Sequence, residues 1–336
     1  MLVTIYDIAK KIGCSPSTVS LALNDSPKIS TATKELVHRV ADELGYTPNY
    51  AARCLINNQT HTLGVIAPDL NNPLFCMMVG GIANTANELG YSIILGLSEQ
   101  SVEKEKSNIQ MLSEKRVDGL VVFPSFPDEV LPTTVDSADT RIPLILCGNS
   151  NKANENLSFV KCDNHTGGYI ATEHLIENGC RRIACICAIV EKKQAHSRIA
   201  GYTNALEFYG IPFDENLVVY CSQESEDIYN TTVNLVENQH IDAVFCLYDY
   251  MSLPVIRAVM SMGKKIPDDI AIIGYDNIDI GAQLPIPLSS VNTHAQTVGS
   301  LAVKHLIKKI QNPDDEVKHI LLKPELVVRE SSQKKK

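Results

Sequence analysis

The stretch Thr4–Leu23, TIYDIAKKIGCSPSTVSLAL, decides the N-terminal fold. Ile5, Ile8, Ala9 and Ile12 recur at helical spacing, and Gly13-Cys14 breaks the pattern. Ser15 then stands where a helix cap is wanted, and Pro16 occupies a first-turn position where its missing N–H costs nothing. Val19, Ala22 and Leu23 of the second helix face the same small core. A third helix is expected from about Ser30 to Leu44, with Leu36, Val37, Val40 and Leu44 as its apolar stripe and Gly45 as its stop. Two short helices joined by a glycine-containing turn and braced by a third make a helix-turn-helix unit.

The residues that follow extend the pattern. Thr4-Ile-Tyr-Asp-Ile-Ala-Lys, then Gly13-x-Ser15-x-x-Thr18-Val-Ser20-x-x-Leu23-Asn24, then Leu44-Gly-Tyr46-x-Pro48-Asn49-x-x-Ala52-Arg53-x-Leu55 run almost continuously. In order and spacing they resemble the head and hinge of the LacI/GalR family of transcription regulators. The resemblance implies that the second helix enters the DNA major groove. Pro16, Ser17 and Leu21 then face base edges, and Thr4, Tyr6, Thr18, Ser20 and Asn24 face phosphates, with Ser15 and Asn49 also in the interface. An apolar Leu21 can sense a thymine methyl but cannot hydrogen-bond to guanine. Residues 47–61 form the hinge, a segment too short to be a stable helix in water alone. In the family it folds in the minor groove and an apolar side chain wedges between base steps. Leu55 is the matching residue, with Ala52 beside it.

From Leu63 the pattern changes to alternating strands and helices. Leu63–Ala67, Ser92–Gly96, Gly119–Phe123 and Pro143–Cys147 are apolar runs of buried-strand length, separated by helical patterns at about 74–89, 103–116 and 128–138. A second series follows at Leu157–Lys161, Arg182–Cys187, Leu217–Tyr220, Ala243–Leu247 and Ile270–Gly274. The fold class is therefore α/β: an all-α helix-turn-helix head and hinge, then two doubly wound α/β subdomains. The resemblance spans essentially the whole chain and implies a core like that of periplasmic binding proteins. It divides the chain into 1–46, 47–61 and 62–330. The core then splits into about 62–160 with 291–322, and about 161–290 with 323–330.

Charge is distributed to suit such a protein. The net charge is −9, yet residues 1–60 hold six Lys/Arg against five Asp/Glu, for a net of +1, leaving −10 on the rest. A neutral-to-basic head on an acidic body fits a protein that touches DNA with one end. There is no apolar run long enough for a membrane helix, and the start lacks the look of a signal peptide, so a cytoplasmic location is expected. The ten cysteines form no CxxC and read as reduced, mostly buried small hydrophobes.

Enzyme readings find nothing to rest on. There is no GxGxxG after the first strand, no GxxxxGK[ST], no GxSxG and no HExxH. The nine histidines are dispersed, and His174 reads as a surface or cap residue. No cofactor, metal or catalytic residue is expected. The paired subdomains instead leave a cleft at the carboxyl ends of their strands, where a ligand should sit. Arg198 opens a helix there, Asp249 follows Val244-Phe-Cys-Leu247, and Asp276 follows Ile272-Ile-Gly-Tyr275. All three match effector-contacting positions of the family. A planar guanidinium and carboxylates can hold neighbouring sugar hydroxyls. Phe75 can stack on an apolar ligand face. Gly148 stands where many sugar-responsive members carry an acid or amide, and Tyr248 replaces a small amide, which suggests a bulkier or less polar effector such as a glycoside. Lys192, Lys193 and His196 leave a sugar phosphate conceivable. The chain ends in Ser331-Ser-Gln-Lys-Lys-Lys without leucine heptads, so a homodimer on a pseudo-palindromic operator is expected. The functional expectation is a repressor of a carbohydrate uptake or utilisation operon. A sugar-binding transport protein sharing only the core is the alternative, disfavoured by the intact head.

Overall fold

The structure, a computed structural model, describes residues 3–46, 59–124, 142–148, 157–189 and 192–334. The expected helix at 128–138 and most of the hinge, with Asn49, Ala52 and Leu55, lie outside the described residues. The chain forms two compact units, Met1–Thr60 and His61–Lys336.

In the first unit, helices α1 (Ile5–Ile12), α2 (Pro16–Leu23) and α3 (Thr31–Leu44) pack around Ile8, Ala9, Val19, Ala22, Val37, Val40 and Ala41. The caps are local and strong. Asp7 accepts hydrogen bonds from both the backbone N–H and the hydroxyl of Thr4, at 2.9 and 2.8 Å. Ser15 Oγ accepts from the Thr18 N–H at 3.1 Å, with Pro16 at the first helical position. Ser30 caps α3 in the same way through Thr33 N–H. Lys11 pairs with Glu43 at 2.9 Å, tying α1 to α3. Leu36 departs from expectation: it is exposed, and Ala41 takes its place in the core. The spacing 37, 40, 41, 44 keeps one helical face, from which position 36 is rotated by about 100°.

The second unit holds two six-stranded sheets. In chain order its elements are β1 (Thr62–Ala67), α4 (Pro73–Glu88), β2 (Ser92–Leu97), α5 (Val102–Glu114), β3 (Gly119–Val122), β4 (Leu144–Cys147) and β5 (Ser158–Cys162). Then come α6 (Asn164–Glu177), β6 (Ile183–Ala188), α7 (Lys192–Phe208), β7 (Val218–Cys221), α8 (Ser225–Gln239), β8 (Ala243–Cys246), α9 (Ser252–Ser261) and β9 (Ala271–Tyr275). The last are β10 (Ser289–Asn292), α10 (Ala295–Gln311), β11 (His319–Leu322) and β12 (Glu325–Val327). One sheet runs β11-β5-β4-β3-β1-β2, all parallel; the other runs β12-β10-β9-β8-β6-β7, parallel except for β12 against β10. Strands β3, β4, β6, β8 and β9 are buried along their whole length, which is why they read as continuous apolar runs.

The strand at 158–162, expected to open the second series, belongs to the first sheet. It pairs with β4 through Leu146 and Phe159, and with β11 through Val160 and Ile320. The chain passes between the sheets three times: after β5, after β10 and after β11. Helix α10 follows the second of these crossings. It buries Val298, Ala302, Val303, Leu306 and Ile307 in one cluster with Leu63, Val121 and Ile145 of the first sheet.

Among the described residues no helix is long and apolar enough to cross a membrane. The nine described cysteines are unpaired, and seven are buried. Burial pushes the Cys246 and Cys221 thiols up to about 12, so they behave as small hydrophobes rather than nucleophiles. His174 is not a surface residue. It is half-buried in the last turn of α6, 2.8 Å from Ser332 Oγ, and anchors the C-terminal segment.

Candidate functional site

Two surfaces collect the residues singled out from the sequence. On the helical unit, Val19 and Ala22 of α2 turn inward, which leaves Ser17, Leu21 and Asn24 exposed and Pro16 and Ser20 half-exposed along its other face. Tyr6 of α1 is 68% exposed, an unusual cost for a tyrosine with no packing role. Four of the expected phosphate and interface groups, Thr4, Ser15, Thr18 and Asn24, are already engaged. The Thr4 hydroxyl donates to Asp7, and Ser15 Oγ caps α2 while lying 2.9 Å from Thr18 Oγ1. A phosphate would have to compete with Asp7 for the Thr4 proton. The Asn24 side chain donates to Ser20 O at 2.9 Å, closing the end of α2.

In the second unit, a cavity of about 60 Å³ is lined from the first subdomain by Pro68, Asn72, Leu74, Phe75, Gln100, Phe123, Pro124, Cys147 and Gly148. Arg198 and Tyr248 line it from the second. Phe75 sits in the first turn of α4 and meets Phe123 edge to face, ring centroids 5.8 Å apart. Asn72 caps α4 through Leu74 N–H at 3.0 Å. Gln100 stands in a turn where both Glu99 and Gln100 take positive φ, 48° and 58°. Two consecutive non-glycine residues in that region mark stored strain beside a cavity. Gly148, at the end of β4, has φ 91° and open space where a Cβ would go.

Arg198 is held by three hydrogen-bond acceptors and two aromatic rings. It lies in the second turn of α7 rather than at its first residue, and is 5% exposed. Its Nε donates to Asn164 Oδ1 at 3.2 Å, one terminal nitrogen to Leu247 O, and the other to Asp276 Oδ1 at 3.2 Å. The guanidinium plane is held between Tyr275, 3.8 Å from its ring centre, and Tyr248, 4.6 Å away. Cation–π contact favours that stacking, and the planar fork loses little entropy in it. The backbone beneath is equally constrained. Helices α6 and α7 cross so closely that a Cβ at Gly168 would lie 2.0 Å from Arg198 O. Only glycine permits that approach, and it fixes the height of Arg198 above the sheet.

The two aspartates diverge. Asp276 is 1% exposed and serves the cavity indirectly, as the counter-charge of Arg198. Its φ of 104° is another strained position beside the site. Asp249 does not line the cavity. Its carboxylate accepts from Ser290 Oγ at 2.7 Å and from Ile278 N–H at 2.8 Å, and so pins the turn after β8 to the loop after β9. Burial pushes its carboxyl up to about 7, against the pull of those hydrogen bonds and of Arg329. Of the five expected effector residues, Phe75, Arg198 and Tyr248 thus meet at one cavity, Asp276 stands directly behind, and Asp249 stands apart. His196 is exposed.

Asn72, Gln100 and Phe123 were not singled out from the sequence. Gln100 alone carried a visible signal, in the glycine-free turn Ser98-Glu-Gln-Ser101 directly after a strand. Among the described residues no His, Cys, Asp or Glu cluster could hold a metal ion.

Comparisons with known proteins match both surfaces. A family described as bacterial regulatory proteins, lacI family, matches residues 4–49, and a periplasmic binding protein-like domain matches residues 172–332. The HTH-type transcriptional repressor PurR of Aliivibrio fischeri (strain MJ11) is 32% identical over 334 residues, 98% of each chain. Among solved structures, a transcriptional regulator CelR–cellobiose complex superposes with TM-score 0.72 at 30% identity, covering 98% of this chain and 99% of that one. The lac repressor dimer bound to operator and the anti-inducer ONPF gives TM-score 0.88 at 25% identity, over 99% of both.

Proposed function

The chain belongs to the LacI family of DNA-binding transcriptional repressors, which are not enzymes, and on that premise we propose that it represses a carbohydrate uptake or utilisation operon under control of a sugar-like effector. The observation that carries the reading is Arg198, held by three acceptors and two rings at the wall of a cavity whose opposite wall is Phe75 and Phe123. A flat, hydroxyl-bearing ligand suits that pairing: an aromatic wall for its apolar face, and amide and guanidinium groups for its edges. The likeness to a cellobiose-bound regulator across 98% of this chain supports a glycoside in particular.

Arg198 is the one charged residue among the described lining, and its charge is matched by Asp276, which favours a neutral ligand over a sugar phosphate. At about 60 Å³ the cavity is smaller than ligand sites usually are, roughly 300–1,000 Å³, so admission of an effector requires the subdomains to part. A second reading rests on the aromatic lining: Phe75, Phe123 and Tyr248 equally suit a planar nitrogen heterocycle, with Asn72 and Gln100 at its edge.

On the DNA side, Pro16, Ser17 and Leu21 read bases while Tyr6, Thr18, Ser20 and Asn24 hold phosphates, with Thr4, Ser15 and Asn49 in support. Leu55 beside Ala52 enters the minor groove, and two protomers in the cytoplasm bind a pseudo-palindrome. Effector binding shifts operator affinity only by its differential affinity for the two closure states.

A gel-shift assay with the DNA upstream of the protein's own gene tests the first half. A thermal-shift panel of cellobiose, other glycosides, free hexoses, sugar phosphates and nucleobases tests the second. The expected result is specific retardation of that DNA and a saturable shift with a glycoside that also changes the retardation. A shift with nucleobases alone moves the assignment to the second reading. No binding to that DNA under any of these conditions overturns the target proposed.

A further inference from the structure

Asn164 sits where the chain leaves one sheet for the other. The residue before it is still part of the first sheet: Asp163 N–H donates to Leu322 O of β11 at 2.9 Å. The Asp163 side chain then caps α6 through His165 N–H, Thr166 N–H and the Thr166 hydroxyl. Asn164 is the first residue of that helix, and its side chain reaches into the second subdomain. Its Oδ1 accepts from Arg198 Nε at 3.2 Å and from the Tyr275 hydroxyl at 3.0 Å. Tyr275 is fully buried and is the nearer of the two rings that sandwich Arg198. One carbonyl oxygen at the crossover thus fixes both the edge and the face of the guanidinium.

The other two crossings are built differently. After β10, Asn292 Oδ1 accepts from the N–H of His294, whose ring faces Glu325 at 3.9 Å; both contacts stay within the strand ends. The crossing after β11 runs through Lys323-Pro324. The first crossing carries a side-chain hydrogen bond to Arg198 at the cavity wall.

We infer that Asn164 is the positioning residue that couples Arg198, and so ligand occupancy, to the β5–α6 crossover about which the two subdomains close. The inference rests on the reading of the cleft as the effector site. Asn164 does not line the cavity and does not itself touch a ligand; it acts through Arg198 and Tyr275. A ligand that draws the guanidinium toward the first subdomain pulls on Oδ1, and the same residue is joined by one peptide bond to an amide of the first sheet. A two-state element that both the ligand and the subdomain angle bias is what such coupling requires.

Two variants of the full-length protein test this, N164A, which removes the acceptor, and N164D, which keeps one oxygen for each donor. The first arm uses no ligand. Hydrogen exchange in N164A is expected to quicken, by about tenfold or more, in two separated places: the Asp163 amide and β11 in the first sheet, and the segments around Arg198 and Tyr275. N164D is expected to stay near the parent protein at both. Quickening confined to the first turn of α6, or equal in the two variants, would show a local cap defect and overturn the coupling.

The second arm uses whichever compound of the cellobiose, glycoside, hexose, sugar-phosphate and nucleobase panel stabilises the parent most. Operator Kd is measured without that compound and at its saturation. In N164A the ratio of the two is expected to shrink toward one even at saturation, and in N164D to recover. A ratio unchanged at saturation in N164A refutes the inference. A parent protein that binds none of these compounds counts against the effector reading instead, and the exchange arm still decides the role of Asn164.

Discussion

Asp249→Asn is expected to stabilise the protein above neutral pH while changing it little in mild acid. The Asp249 carboxyl is 4% exposed, and burial raises it from the ordinary 3.8 to about 7. Hydrogen bonds from Ser290, Ile278 and Tyr275 and the charge of Arg329 oppose that rise without cancelling it. For a carboxyl raised on folding, the folded protein keeps a proton that the unfolded chain has already released. Its contribution is therefore fully present below about pH 4, is lost as pH rises toward about 7, and stays lost above. A shift of about three units at about 1.4 kcal/mol each puts the loss at roughly 4 kcal/mol at most. An amide does not ionise. Its oxygen can still accept from Ile278 N–H, and its NH₂ can donate to Ser290 Oγ, so the turn after β8 stays tied to the loop after β9. Urea denaturation of the parent and D249N at several pH values between about 5 and 8.5 reads the effect directly. The stability difference should grow in favour of D249N by about 2–3 kcal/mol across that range. A difference that is flat with pH, or that turns against D249N as pH rises, would refute the reasoning.

Leu21→Arg should move the preferred operator base at one position in each half-site, worth about 1–3 kcal/mol of discrimination, with a smaller effect on non-specific affinity; a randomised-site selection returning the parent's preferences would contradict it. Tyr6→Phe, at a side chain 68% exposed, should weaken binding to all operator variants alike, whereas loss at a single base pair would assign Tyr6 to base reading. Gly168→Ala places a methyl 2.0 Å from Arg198 O and should cost about 1–3 kcal/mol through displacement of α7, with weaker ligand binding alongside; an unchanged melting temperature would show that the helices can part freely.

How far the sequence could be read depended on how local each signal was. The helix-turn-helix was legible because its determinants are neighbours. Ser15 caps through Thr18, three residues on, and Gly13 ends α1 beside it. The buried strands were legible too, since burial on both faces leaves nothing polar to alternate. Which sheet a strand joins was not: β5 is placed by pairing with β11, whose residues lie about 160 positions further on. Leu36 was drawn into the expected stripe because it stands directly beside Val37 and four residues before Val40, so its rotation off the buried face does not show in the spacing. In the cleft, Asp249 and Asp276 looked alike, each following a strand. Their fates are set by partners far along the chain, Ser290 for one and Arg198 for the other. Asn164 gave no signal, because its value lies entirely in what Arg198 and Tyr275 bring to it.

Helix α10 has a consequence for how the protein is made. A chain emerging from the ribosome presents the helical unit before the sheets, and its core residues, Ile8 to Ala41, are complete before any strand appears. The sheet of β1 to β5 comes next, and α4 brings Leu74, Met78, Ile82 and Ala86 to one of its faces, yet Val121 and Ile145 on that face lack their full packing until Val298 through Ile307 have been synthesised. By then β6 to β9 are already out and able to pack. The subdomain begun first thus awaits residues near the far end of the chain for its closure. Until then a nascent protein carries a finished DNA-reading head on a core that cannot yet sense. Chains cut short before residue 295 would keep that head and lose the helix that covers the first sheet, leaving an apolar face open to aggregation.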